Sequence, residues 1–200
     1  MTIDEFLQRA ASQPIVNEER MVNVWGPKLK ALVTERKAMT LAEIYAHPDQ
    51  HKEKRIFRRG HLLGSGLPHD AIISWQQKRP SHILPPDLIE LLSRVNGIHL
   101  WADLDSQEAY FGILPLEKWQ TASESRLADY YEEEPSGQLV ISYHQNGDFY
   151  LVLDSQRAAY FWYDTEDFRH PTLVASDVEE LLSWWWKQAA ELAPETPASR

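Results

Sequence analysis

Two spacings of apolar residues divide this chain, one of three to four positions and one of two. Near the start, Ile3, Phe6, Leu7 and Ala10 fall at helical spacing, and Pro14 stops the run. Residues 16–24 and 28–38 carry weaker helical patterns on either side of Gly26-Pro27. Thr40 is placed to cap a short helix that ends at His47-Pro48. The first 46 residues therefore read as short helices. A further helix runs from Pro68 towards Pro80 with Ile72, Ile73 and Trp75 as its apolar positions. In "ILPPDLIELLSRVNG", Pro86 suits a first helical turn and Asp87 favours the positive end of the helix dipole. Leu88, Leu91, Leu92 and Val95 form one stripe, and Gly97 is placed for a left-handed cap. A last helix carries Val178, Leu181, Leu182, Trp185, Ala189 and Leu192, with Ser176 and Glu179 spaced as a capping box.

Strands occupy the region between these last two helices. "IHLW" and residues 108–114 are the first two, and residues 116–131 leave room for a helix that breaks at "EEEPSG". In "QLVISYHQNGDFYLVLD", Asn146-Gly147 is the preferred pair for a two-residue hairpin turn. That turn sets Tyr143 opposite Tyr150 and Ile141 opposite Val152. One face then carries Leu139, Ile141, Tyr143, Tyr150 and Val152, and the other carries Val140, Ser142, His144, Phe149, Leu151 and Leu153. Both faces are mainly apolar, so both require cover. "AAYFWYD" is the next strand.

One stretch resists a simple assignment. "SWWWKQ" holds three of the eight tryptophans in consecutive positions. On a helix they point about 100° apart, so only Trp185 belongs to the core stripe. Trp184 and Trp186 sit on its shoulders. Either the N-terminal segment or a partner must cover them, and the segment's own amphipathic helices favour the first.

Charge adds an asymmetry. Net charge is −10, but residues 1–80 carry 13 Lys/Arg against 9 Asp/Glu, and residues 81–200 carry 7 against 21. An acidic body repels nucleic acid and membrane surfaces and attracts basic partners. No apolar run reaches the roughly 20 residues of a membrane span, and the start has early acids with no signal-like stretch, as expected of a cytoplasmic protein. The absence of cysteine excludes disulfides and thiolate chemistry.

Candidate chemistry is sparse. "HKEKRIFRRGH" is the most basic stretch, but no basic–aromatic alternation continues beyond it, so it reads as a solvated loop or helix face. "GHLLGSGLPHD" lacks the lysine of a phosphate loop and the glycine spacing of a nucleophile elbow, and reads as a connector. His47 and His51 are four apart, yet Pro48 lies between them and no third ligand appears. Asp103, Asp105 and Glu108 lack the frame of a calcium loop. The acids at 132–134, and Asp164, Glu166 and Asp167, are not placed across a cleft as paired glycosidase carboxylates are. His99 and His144 read as strand side chains.

The order and motifs of residues 64–192 resemble the SUKH superfamily, which includes the yeast cell-wall regulators and many bacterial immunity proteins. The residues that carry the resemblance are Gly66-Leu67, Ile72 and Trp75, then Leu84-Pro85, Asp87-Leu88, Leu91-Leu92 and Asn96-Gly97. "GILPLEKW", "YLVLD", "AYFWYD" and "VASDVEELL" continue it. Gln76 departs from the pattern, which often has an acid at or just after the first-helix aromatic. The resemblance implies an α+β fold, an antiparallel (mixed) sheet packed against helices, here with a helical N-terminal extension. It divides the chain into an extension (1–62), a SUKH-like domain (63–193) and a tail (194–200).

The same resemblance implies protein binding without catalysis, metal or cofactor. The expected function is a cytoplasmic immunity protein that occludes the active site of a cognate, basic toxin domain. The alternative is a scaffold or regulatory module of the yeast type. Tyr143, Tyr150 and Trp162 are the candidate anchors, and Asp103, Asp105, Asp164, Glu166 and Asp167 the candidate rim.

Overall fold

The computed structural model describes residues 1–23, 52–105, 112–125, 127, 137–143, 149–164 and 170–191. Helix α1 spans Ile3–Ser12. Thr2 starts it with a capping box, accepting from the Glu5 N–H while the Glu5 carboxylate accepts from the Thr2 N–H. Helices α2 (His69–Gln77) and α3 (Pro86–Arg94) follow at the expected places, and α4 covers Val178–Glu191. The capping of α4 differs from the expected box. Asp177 Oδ1 accepts from the Glu180 N–H at 2.8 Å, and the Glu180 carboxylate reaches back to the Ser176 N–H and hydroxyl. The motif is shifted by one residue, and the acid at its third position is Glu180 rather than Glu179.

Strand β1 (Val16–Asn23) pairs antiparallel with β2 (Lys52–Leu63), where helix was expected for 16–24 and a solvated loop or helix face, then a connector, for the stretch within 52–63. The physical reason is charge. The ribbon's cations are laced to acids: Arg59 and Arg20 to Glu18, Lys54 to Glu19, Arg55 to Glu53, and Arg58 to Asp105. Neighbouring side chains on one strand face serve as partners, and that suits the period of two. The expected helices at 28–38 and 41–46 lie outside the described residues.

β2 continues into a sheet of order β1-β2-β3-β4, with β3 at Ile98–Asp103 and β4 at Gly112–Ile113. The boundary between residues 62 and 63 falls inside β2. A second antiparallel sheet has order β5-β6-β7-β8-β9: Gln120–Thr121, Gln138–Tyr143, Phe149–Asp154, Ala159–Asp164 and Thr172–Ala175. Two 3-10 turns, Leu116–Lys118 and Ala122–Glu124, flank β5. The architecture is α+β, with antiparallel sheets against helices and a helix at the N-terminal end.

The hairpin register holds at its outer end and fails at its inner one. Tyr143 faces Tyr150 and Ser142 faces Leu151, as expected, but Val140 faces Val152 in place of Ile141. A bulge at Ile141 absorbs one residue. Its carbonyl turns to the other sheet and accepts from the Leu114 N–H at 2.9 Å, so the bulge is where the two sheets join. The bulge also moves Leu139 to the face of Leu151, Leu153 and Tyr160, and Val140 to that of Tyr150 and Val152. Each face has its own cover. The first packs against α3, α4 and α1 through Leu88, Leu91, Leu182, Trp185 and Phe6. The second forms a smaller cluster with Leu127 and Tyr163. The Asn146-Gly147 turn itself lies outside the described residues.

The motif residues lock the helices to this frame. A Cβ on Gly66 would stand 2.1 Å from the Ser93 carbonyl oxygen, so only glycine lets the loop lie against the end of α3. Helix α3 closes at Val95, in extended conformation, two residues before the expected cap at Gly97, whose positive φ (+94°) instead turns the chain into β3. Asn96 accepts from the Leu116 N–H at 2.7 Å and donates to Glu117 at 3.1 Å, tying that turn to the following 3-10 turn. Gln76 accepts from the Leu84 N–H at 3.1 Å through its side-chain carbonyl, a role that a carboxylate oxygen would also fill.

Candidate functional site

The three consecutive tryptophans organise the surface of α4. Trp185 is fully buried, as its place on the core stripe requires. Trp186 is half-buried and meets Phe6 of α1 edge-on, with ring centres 5.7 Å apart. The N-terminal helix thus covers one shoulder. Trp184 turns to the other side, where its ring lies 5.5 Å from Trp162 of β8. Trp162 in turn stacks on Phe149 of β7 at 5.2 Å and 20°. Phe149, Trp162 and Trp184 form a half-buried aromatic ladder where α4 rests on the second sheet. Asp164, paired in register with Phe149, stands at the end of that ladder. Partly buried rings beside a carboxylate have the make-up of a protein-binding surface.

The expected anchors and rim separate into two places. Trp162 and Asp164 lie together on β8. Tyr150 is 5% exposed and belongs to the smaller core cluster, so it supports the sheet and offers no ring to a partner. Tyr143 ends β6; its side chain, Glu166 and Asp167 lie outside the described residues. Asp103 and Asp105 stand on the other sheet. Asp103 is paired in register with Arg59, and Asp105 forms an ion pair with Arg58 at 3.1 Å.

A cavity away from this ladder involves residues that, Trp186 apart, carry no sequence signal. A cavity of about 240 Å3 opens between α1, β2, β3 and α4, lined by Gln13, His61, Trp101, Trp186, Ala189 and Ala190. His61 sits at a register shift in the β2–β3 pairing. Its Nδ1 accepts from the Trp101 N–H at 3.0 Å, which leaves the ring neutral with its proton on Nε2. Burial pushes the His61 pKa below the ordinary histidine value, partly opposed by a hydrogen bond with the Gly60 backbone. Trp101 has φ +54°, a left-handed conformation that bulky residues rarely adopt.

Elsewhere His99 is half-buried, and burial lowers its pKa as well. No helix among the described residues is long and apolar enough to cross a membrane. Among them, no three His, Asp or Glu side chains are grouped as metal ligands.

Comparison with known proteins gives one match. The model of the SMI1 / KNR4 family (SUKH-1) matches residues 67–184, more than half of the chain. No curated protein and no solved structure matches it. The matched segment contains α2, α3, strands β3 to β9 and the start of α4; α1 and the β1–β2 ribbon precede it.

Proposed function

Since the chain belongs to the SMI1 / KNR4 family (SUKH-1), we propose that it is an immunity protein, which binds a cognate toxin domain and blocks its active site. It acts by occlusion in the cytoplasm of the cell and carries out no catalysis. The observation that supports this reading best is the Phe149–Trp162–Trp184 ladder with Asp164 at its end. Half-buried aromatics supply anchors that lose little side-chain entropy on binding. The acidic half of the chain, 7 Lys/Arg against 21 Asp/Glu after residue 80, speeds the approach of a basic partner such as a nuclease domain. Tyr143, Glu166 and Asp167 remain proposed members of that surface. Asp103 and Asp105 form a second acidic site on the other sheet.

The test is co-expression with the toxin encoded beside this gene. Restored growth and a stable complex are the expected results. A neighbouring toxin that stays lethal and does not bind would refute the immunity role. In that case a regulatory scaffold, the role of the yeast proteins, becomes the better reading.

A further inference from the structure

The cavity between α1, β2, β3 and α4 is built by devices that the fold itself does not require. A register shift in the β2–β3 pairing, with the extra residue on β3, sets His61 against the cavity. Across from it, Trp101 is held at positive φ, a conformation that bulky residues rarely adopt. The His61–Trp101 hydrogen bond fastens the two. Small side chains on α4, Ala189 and Ala190, leave the space open. Of the six described lining residues only Trp101 falls within the segment that the family model matches. The cavity therefore lies mostly outside the matched segment, between the N-terminal segment and the end of α4.

Its walls indicate its ligand. His61 meets Trp101 at 67° and Trp186 at 75°, with ring centres 4.6 and 5.8 Å away. Three rings set nearly at right angles offer several π faces to one small volume. Among the described residues neither a carboxylate nor an ammonium lines it, and the histidine is held neutral by its bond to Trp101. At about 240 Å3 it is smaller than the ~300–1,000 Å3 of sites that enclose a drug-sized ligand, and so suits one side chain. Stacked ring faces attract organic cations, and desolvation strengthens the attraction. The net charge of −10 favours the same sign of ligand.

We infer that this cavity is an aromatic cage for one organic cation, the arginine or lysine side chain of a bound protein. The choice of source rests on the protein-binding function proposed above; the cage chemistry does not.

The experiment titrates the full chain with N-acetyl-arginine methylamide, with choline and with choline's neutral isostere 3,3-dimethylbutanol. The indole N–H signals of Trp101 and Trp186 are followed by NMR. Both cations should shift these signals saturably in the millimolar range, and the isostere should not. Ala190→Trp, at an exposed helix position, should fill the opening and abolish the shift while leaving the rest of the spectrum unchanged. No saturable shift, or an equal response to the isostere, would overturn the cage. Binding of choline more than tenfold tighter than the arginine probe would overturn the side-chain source. These probes need no toxin, so the cage and the immunity function fail independently.

Discussion

The Asp87 carboxylate of α3 accepts a hydrogen bond from the Val178 N–H, 2.9 Å away, at the start of α4. Its other oxygen accepts from the Leu88 N–H of its own helix at 2.9 Å. One side chain thus serves the N-terminal ends of two helices that are 91 residues apart in sequence. The acid in "LPPDL" is a cap shared between helices, and this explains why its place beside Leu88 matters.

Asp87→Ala removes both acceptors. Loss of a single helix cap costs about 0.5–2 kcal/mol, so this substitution should lie at or above the upper end of that range. Asp87→Asn keeps one carbonyl acceptor and should fall between. Urea unfolding measures both. Equal stability of Asp87→Ala and the parent would show that water replaces the cap at no cost.

Tyr160 lies fully buried under the same helices, and its hydroxyl has no hydrogen-bond partner among the described residues. Burial, with Asp87 and Asp177 nearby, pushes its ionisation far above the usual tyrosine range. An unpaired buried hydroxyl costs about 1–3 kcal/mol, so Tyr160→Phe should leave stability unchanged or raise it. A fall in the urea midpoint would mean that the hydroxyl is satisfied.

Much of this was legible in the sequence, and the failures have physical causes. The core stripes of α3 and α4 are strongly periodic, and periodicity predicts burial well. Among its described residues the β1–β2 ribbon has no buried apolar face to announce it: Met21 and Ile56 are 59% and 65% exposed, and the strands are held by ladder hydrogen bonds and charge pairs. The Ile141 bulge depends on a bond to Leu114 in the other sheet, which local pattern does not encode. Tyr150 looked like an anchor because apolar residues on both faces of a hairpin give no sign of which face stays open. The cage was invisible because positive φ at Trp101 and a register shift at His61 leave no compositional trace.

The aromatic ladder predicts a sharp difference between two aromatic residues. Trp162→Ala should weaken partner binding by at least tenfold with the fold retained, as for a binding hot spot. Tyr150→Ala should instead unfold the second sheet, as buried aromatic truncations cost about 3–5 kcal/mol. Calorimetric titration paired with circular dichroism separates the two. Normal binding by Trp162→Ala would place the interface elsewhere.

The cover on Trp186 predicts that Phe6→Ala destabilises the chain by about 3–5 kcal/mol, given that Phe6 is fully buried. Tryptophan emission should shift to the red as Trp186 meets water. Deleting residues 1–62 should do more, because β3 then loses its β2 partner along with the α1 cover. A soluble, well-folded remainder with unshifted emission would contradict this.

Stability should fall on mild acidification. Burial lowers the pKa of both His61 and His99 below the ordinary value of 6.5. Their neutral forms are favoured in the folded state, so their contribution is complete above about pH 6.5 and is lost as pH falls through the folded values. The urea midpoint should drop between pH 7 and 5. His99→Gln should flatten part of that slope, and an unchanged slope in both His61 and His99 variants would assign it to other groups.

The meeting of Phe6 with Trp186 also sets a timetable. Trp186 is synthesised 180 residues after Phe6, so the apolar side of α1 has no place to dock until nearly the whole domain has left the ribosome. During that interval Ile3, Phe6 and Ala10 are exposed on a nascent chain, the condition in which chaperones are engaged. Closing this contact is a late step in maturation, and the aromatic cavity beside it is complete only once that step has occurred.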